Sequence, residues 1–205
     1  MKNYFIMIIL CILITPFTYG QNTAQWTDAD RKYLSENLLR TKNLLIKETE
    51  HLSNAQWNFK EDPKRWSIKG IIEHLGIWEL LFDREISMAL NGGEQPELSK
   101  LSGPDSNVVR FIMEENPHVT TDFTKPFTYT VPMEINSGSN NMQWWMKMRN
   151  ESIGFVDSTG RNLRLYFQKA GRLNIHQTYI NVFGHVDRHL RQIKKIKENK
   201  NYPKS

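Results

Sequence analysis

The chain is 205 residues long, carries a formal charge of +5 and has one cysteine, Cys11. That length suits one ordinary domain with a buried core, and a lone thiol excludes a disulfide scaffold. The positive excess gathers at the C-terminus, in Lys194, Lys195, Lys197, Lys200 and Lys204. Nucleic acid or anionic lipid could meet such a run, but favourable charge at a solvated helix C-terminus accounts for it.

At the N-terminus, Lys2 precedes an apolar run from Tyr4 to Leu13, then Pro16 and Thr18-Tyr19-Gly20-Gln21. This is the order of a secretory signal peptide, with small residues before a cleavage site. A spanning helix needs about 20 apolar residues, and this run is shorter and ends in a proline, so cleavage after Gly20 is expected over a retained anchor. Cleavage leaves one domain over residues 21–205, located in the periplasm or outside the cell. Cys11 lies in the removed segment, and the mature chain then has no thiol; packing or a bound metal must supply its stability.

Helical periodicity starts at Thr27, which forms a capping-box pattern with Asp30. Leu34, Leu38, Thr41, Leu45 and Leu52 follow at helical spacing. The second helix opens at Ser67 as N-cap, with Trp66 placed to staple onto Ile71. Ile68, Ile71, Ile72, Leu75, Phe82, Ile86 and Ala89 form its apolar stripe, and Asn91-Gly92-Gly93 ends it.

From residue 91 to 141 the chain is rich in Gly, Pro, Ser and Asn, with a short helix expected from Val108 to Glu115 and a strand-like stretch from Phe127 to Val131. So long a connection is unusual in a small domain. It makes sense if the second and third helices run parallel, which requires a long crossover. The third helix is expected from Met142 to about Asp157, with Met142, Trp145, Arg149, Ile153 and Val156 on one face. The fourth, Ile175 to about Lys197, has Ile175, Tyr179, Val182, Val186, Leu190 and Ile193 at spacings of three and four. The expected fold is all-α, a four-helix bundle with a long crossover between helices two and three.

The chemistry rests on histidines. His185 and His189, four apart on the fourth helix, lie one above the other on a flank of its stripe and can hold one ion. By itself the pair is weak evidence, because core-edge histidines arise readily at this spacing. His74 falls similarly on the flank of the second helix. Three imidazoles from facing helices suit a catalytic-type ion that keeps a position open for water or substrate. His176 falls on the opposite flank, at a loop edge or in the N-terminal turn, and is not counted as a ligand; His51 and His118 are read as solvated.

Two segments carry a resemblance. Trp66-Ser67-Ile68-Lys69-Gly70-Ile71-Ile72-Glu73-His74-Leu75 and, about 110 residues later, His185-Val186-Asp187-Arg188-His189-Leu190-Arg191-Gln192-Ile193 resemble the signature segments of the DinB-like (YfiT-like) superfamily. The resemblance spans roughly residues 27–197. It implies a four-helix bundle holding one divalent metal, zinc or nickel before others, through His74, His185 and His189. It also implies the activities described in that family, thiol-dependent transferases and isomerases and metal-dependent hydrolases. Export, away from cytosolic thiols, and the long 91–141 connection depart from the family pattern.

Arg188 and Gln192 continue the ligand side of the fourth helix, placed to contact an anionic substrate, to orient a ligand or to pair with a carboxylate. Glu79 falls within an apolar stripe, where an ionised carboxylate needs a partner. It is read as a buried ion pair over a general base, being about 140° around the helix from His74. Trp57, Trp66, Trp78, Trp144 and Trp145 are read as core and pocket walls. No phosphate loop, serine-hydrolase elbow or haem motif is present. The functional readings are an exported metal-dependent hydrolase or transferase acting on a small molecule, and a non-catalytic metal or small-ligand binding module of the envelope. No nucleic acid and no stable membrane insertion after cleavage are expected, and a homodimer is left open.

Overall fold

The structure, a computed structural model, describes residues 25–114, 130–168 and 173–204. Within them the chain forms α1 (Asp28–Thr49), α2 (Asn54–Asn58), α3 (Ile68–Gly92), a 3-10 segment (Pro96–Leu101), α4 (Asp105–Met113), α5 (Gly138–Ser158) and α6 (Ile175–Lys197). The fold is all-α and a helical bundle. The signal-peptide segment lies outside the described residues, as do His118 and residues 127–129 of the expected strand. At Thr130 and Val131 the backbone is a turn rather than a strand, and the sole bridge among the described residues joins Phe167 to Asn174.

Each long helix starts where a side chain can satisfy its unpaired first-turn amides. Thr27 Oγ1 accepts from Asp30 N, and the Asp30 carboxylate accepts from Thr27 N. Ser67 Oγ accepts from Gly70 N, and Asn174 Oδ1 accepts from Gln177 N. α5 begins four residues before the expected Met142, because Ser137 caps it by accepting from Asn140 N; the polar Ser-Asn run hid that start. α2 was not expected. A five-residue helix has no room for an apolar stripe, but its Ser53–Gln56 capping box is complete.

α1, α5, α3 and α6 pack in that cyclic order, each against the next. Contacts between α3 and α5 advance together: Gly76 meets Trp144, then Glu79 meets Arg149 and Ser152. Between α3 and α6 they run in opposite senses: His74 reaches His189, and Phe82, two turns further along α3, reaches His185. Gly76 allows the close approach, since a Cβ there would overlap the Trp144 ring. α4 crosses α6, with Ile112 seated on Gly184 beside His185.

The core has two halves. One contains Leu34, Leu38, Phe82, Ile86, Val156 and Tyr179, and the other Leu45, Ile71, Leu75, Trp145, Val186 and Ile193. Between them lies a polar layer, the Glu79–Arg149 ion pair, with side chains 4% and 0% exposed. Arg149 Nε and Nη2 donate to the two Glu79 oxygens at 2.7 and 2.8 Å, and Nη1 donates to Thr41 Oγ1 at 2.9 Å. Glu79 is thereby a structural group, paired across helices as its place in an apolar stripe requires.

Candidate metal centre

His74 sits two turns into α3, while His185 and His189 occupy successive turns of α6. The antiparallel packing of these helices brings the three rings together. His185 Nε2 lies 3.3 Å from His74 Nε2 and 3.1 Å from His189 Nε2, and the three ligand atoms fall within 4.8 Å of one another. Among the described residues this is the one group of three or more His, Cys, Asp or Glu side chains able to hold a metal ion.

Hydrogen bonds on the far side of two rings fix which nitrogen carries the proton. His74 Nδ1 is 2.7 Å from the Thr130 carbonyl oxygen, which can only accept, so Nδ1 donates and Nε2 presents a lone pair. His189 Nδ1 is 2.9 Å from Gln192 Oε1, and the same reasoning leaves its Nε2 bare. Both lone pairs face His185 Nε2, whose single N–H could point squarely at only one of them. A cation bonded to all three nitrogens resolves that mismatch. The fit is also metric: metal–nitrogen bonds of about 2.0–2.1 Å in tetrahedral geometry put ligand nitrogens about 3.3–3.4 Å apart.

Electrostatics favour the ligand form. Burial, with the positive charge of Arg188 adding to it against the pull of the Thr130 carbonyl, lowers the His74 pKa to about 4. Burial and the neighbouring His74 lower His189 to about 3, despite its bond to Gln192. His185 is held well below its ordinary value by burial and by the other two rings. All three are neutral at pH 7, the state in which an imidazole binds metal.

The bonds that position these rings come from both sides. Glu73, next to His74, accepts from the backbone N–H groups of Met133 and Glu134, each at 2.8 Å. Glu134, at φ 55°, accepts from Ser67 Oγ at 3.0 Å and pairs with Lys60 at 3.1 Å. These bonds dock the 130–134 segment on the start of α3, which places the Thr130 carbonyl against His74. Aromatic rings wall the site: Trp66 is 4.6 Å from the His74 ring, and Trp78 and Phe82 are 5.7 and 6.3 Å from that of His185. Trp145 is core, and Trp57 packs on Gly138.

The remaining sequence candidates divide. Gln192 touches a ligand directly, whereas Arg188 faces a cleft beside the site with Arg191, Arg65 and Lys195. His51 is solvent-exposed beside Glu50. His176 lies in the N-terminal turn of α6 but is only 1% exposed. Its Nδ1 accepts from Trp26 Nε1 at 3.1 Å, and its Nε2 is 3.2 Å from Asp105. Arg164 joins the same network, reaching Asp30 at 2.7 Å and Asp105 at 2.9 Å. Sequence periodicity gave no hint of this cluster, whose members lie on different elements.

A family model described as the DinB superfamily matches residues 37–193. No curated protein and no solved structure matches the chain.

Proposed function

This chain belongs to the DinB superfamily, and we propose that it is an exported protein that binds one divalent metal, zinc or nickel, through His74, His185 and His189, for hydrolysis or group transfer on a small molecule. The observation that carries the reading is the convergence of three neutral Nε2 atoms, two of them stripped of protons by Thr130 and Gln192. A purely structural zinc site closes with four protein ligands and favours cysteine. A three-imidazole set instead leaves the ion a position for an incoming group, where it supplies Lewis acidity when bound. The chain's own part is to hold the imidazoles in one tautomer, keep them unprotonated by burial, and screen the site with Trp66, Trp78 and Phe82.

Elemental analysis of protein isolated from the periplasm tests the metal, with a stoichiometric divalent ion expected. Screening the loaded and chelated forms against ester, amide and electrophile panels tests the chemistry, and circular dichroism should show that the helices survive chelation. A second reading, a non-catalytic binding module, is favoured by one observation. The carboxylates closest in sequence to His74, Glu73 and Glu79, are both engaged, by backbone amides and by Arg149, which leaves neither as a ready general base. A loaded protein inert across the panels supports this second reading.

Export rests on the order of Lys2, the short apolar run and Gly20. No described helix is long and apolar enough to cross a membrane. Intact mass should place the mature N-terminus at Gln21, and a retained Met1 on membrane-bound protein would overturn the proposal.

A further inference from the structure

A cleft of about 460 Å³ opens beside the three histidines and is lined by Arg65, Arg188, Arg191, Lys195, Glu61, Glu114 and Gln192. It adjoins the histidines through two residues. Gln192 borders the cleft while its Oε1 accepts from His189 Nδ1, and Arg188, which lines the cleft, directly precedes His189 on α6. Four cations face two carboxylates here, so the cleft is net positive.

The arginines are not consumed by the fold in the way Arg149 is. Arg191 donates to the Ile112 carbonyl at 3.0 Å. Arg188 Nη1 is buried and has no hydrogen-bond partner among the described residues. A buried donor left unpaired is costly, more so when it belongs to a charged group. Arg191, three residues along α6, lines the same cleft and brings a like charge beside it. A fold gains nothing from such an arrangement, whereas an anion placed between the two guanidinium groups supplies the missing acceptor and relieves the repulsion. Guanidinium groups bind carboxylate and phosphate alike through paired N–H donors.

We propose that this cleft binds the anionic group, carboxylate or phosphate, of a small-molecule ligand, with Arg188 and Arg191 as its principal contacts and Arg65 and Lys195 at its rim. The proposal rests on the metal reading for its functional sense, because an anion held there sets the rest of the ligand beside the three imidazoles. The anion site itself consists of residues that are not metal ligands, so it is measurable without the ion.

The test is titration of the metal-free mature chain with inorganic phosphate and, separately, with malonate, followed by NMR at the arginine side chains, and then repetition on the zinc-loaded chain. At least one anion should bind the metal-free protein, and which one binds more tightly identifies the group. Arg188→Gln and Arg191→Gln should each weaken binding about tenfold or more, while Lys32→Gln, on the exposed face of α1, should not. Arg188→Gln should keep one zinc per chain and melt no lower than the parent, since it removes an unpaired buried donor. Should that variant fail to fold, Arg65→Gln and Lys195→Gln carry the test, each weakening binding about threefold. Absence of binding by both anions, or binding indifferent to all four cleft substitutions, overturns the proposal. Loss of zinc binding from the parent chain with anion binding intact would instead overturn the metal reading and leave the cleft standing.

Discussion

Helix α6 carries histidines in two opposite settings. At its N-terminal turn, His176 meets a donor on Nδ1, Trp26, and an acceptor on Nε2, Asp105, so the ring is complete as it stands. In the middle of the helix, His185 and His189 turn their Nε2 atoms toward each other and toward His74. Burial does not separate them, since His176 and His189 are both buried. What separates them is the polarity of the neighbours: opposite partners make a structural histidine, and like partners make a set that fits a cation.

The sharpest way to break this comparison is to remove the histidines one at a time. His74→Ala, His185→Ala and His189→Ala should each lose stoichiometric zinc by elemental analysis, while His176→Ala should keep it; the reverse pattern would place the ion at the wrong end of α6. The other self-contained polar set, Glu79 with Arg149, sharpens the same point about satisfied groups. Glu79→Gln removes the charge that Arg149 needs and should cost about 3–5 kcal/mol in urea unfolding, with Glu79→Leu/Arg149→Met costing much less.

Smaller effects test the groups that hold the histidines in place. Gln192→Leu frees His189 Nδ1 and should weaken zinc affinity about 10–100-fold by competition titration with little change in stability. At the other end of the helix, His176→Ala leaves the Trp26 indole and Asp105 without their partner and should cost about 1–3 kcal/mol, with zinc content unchanged.

The smallest effect lies in the acid limb. Burial pushes the Asp105 carboxyl up, but hydrogen bonds from His176 and Arg164, with the charge of Arg164, outweigh it and hold it well below its ordinary value of 3.8. Its folded pKa is therefore depressed, so its contribution is fully present above about pH 4 and is lost as the pH falls below that. Asp105→Asn should lower stability at neutral pH and flatten its decline below about pH 4, measured as thermal midpoints across pH. An unchanged acid limb would show that Asp105 does little for the fold.

Much of the fold and of the site was legible because both depend on local periodicity. The stripes that run from Leu34 to Leu45, from Ile68 to Ala89 and from Ile175 to Ile193 keep helical spacing, and apart from the partly buried Leu190 their residues are buried in the structure. Thr27 and Ser67 precede two of these runs as caps that the sequence marked, whereas the Asn174 cap of the third came to light only in the structure. The histidines were legible because a spacing of four fixes a shared face before any partner is known. Glu79 and Arg149 were half legible: Glu79 stood out as a charge within an apolar stripe and Arg149 was placed on one face of its helix, but only packing showed that they answer each other.

The four long helices, their apolar stripes and the three histidines on the flanks of two of them could be read along the chain, because they follow from 3.6-residue geometry and side-chain chemistry within one segment. Which protons those histidines carry is settled by packing, since it depends on a carbonyl at Thr130 brought 56 residues along the chain to His74. Packing also decided that His176 is satisfied and Arg188 is not. A polar group's fate is set by what lies opposite it in space, and α3, α4, α5 and α6 acquire their opposites only on packing.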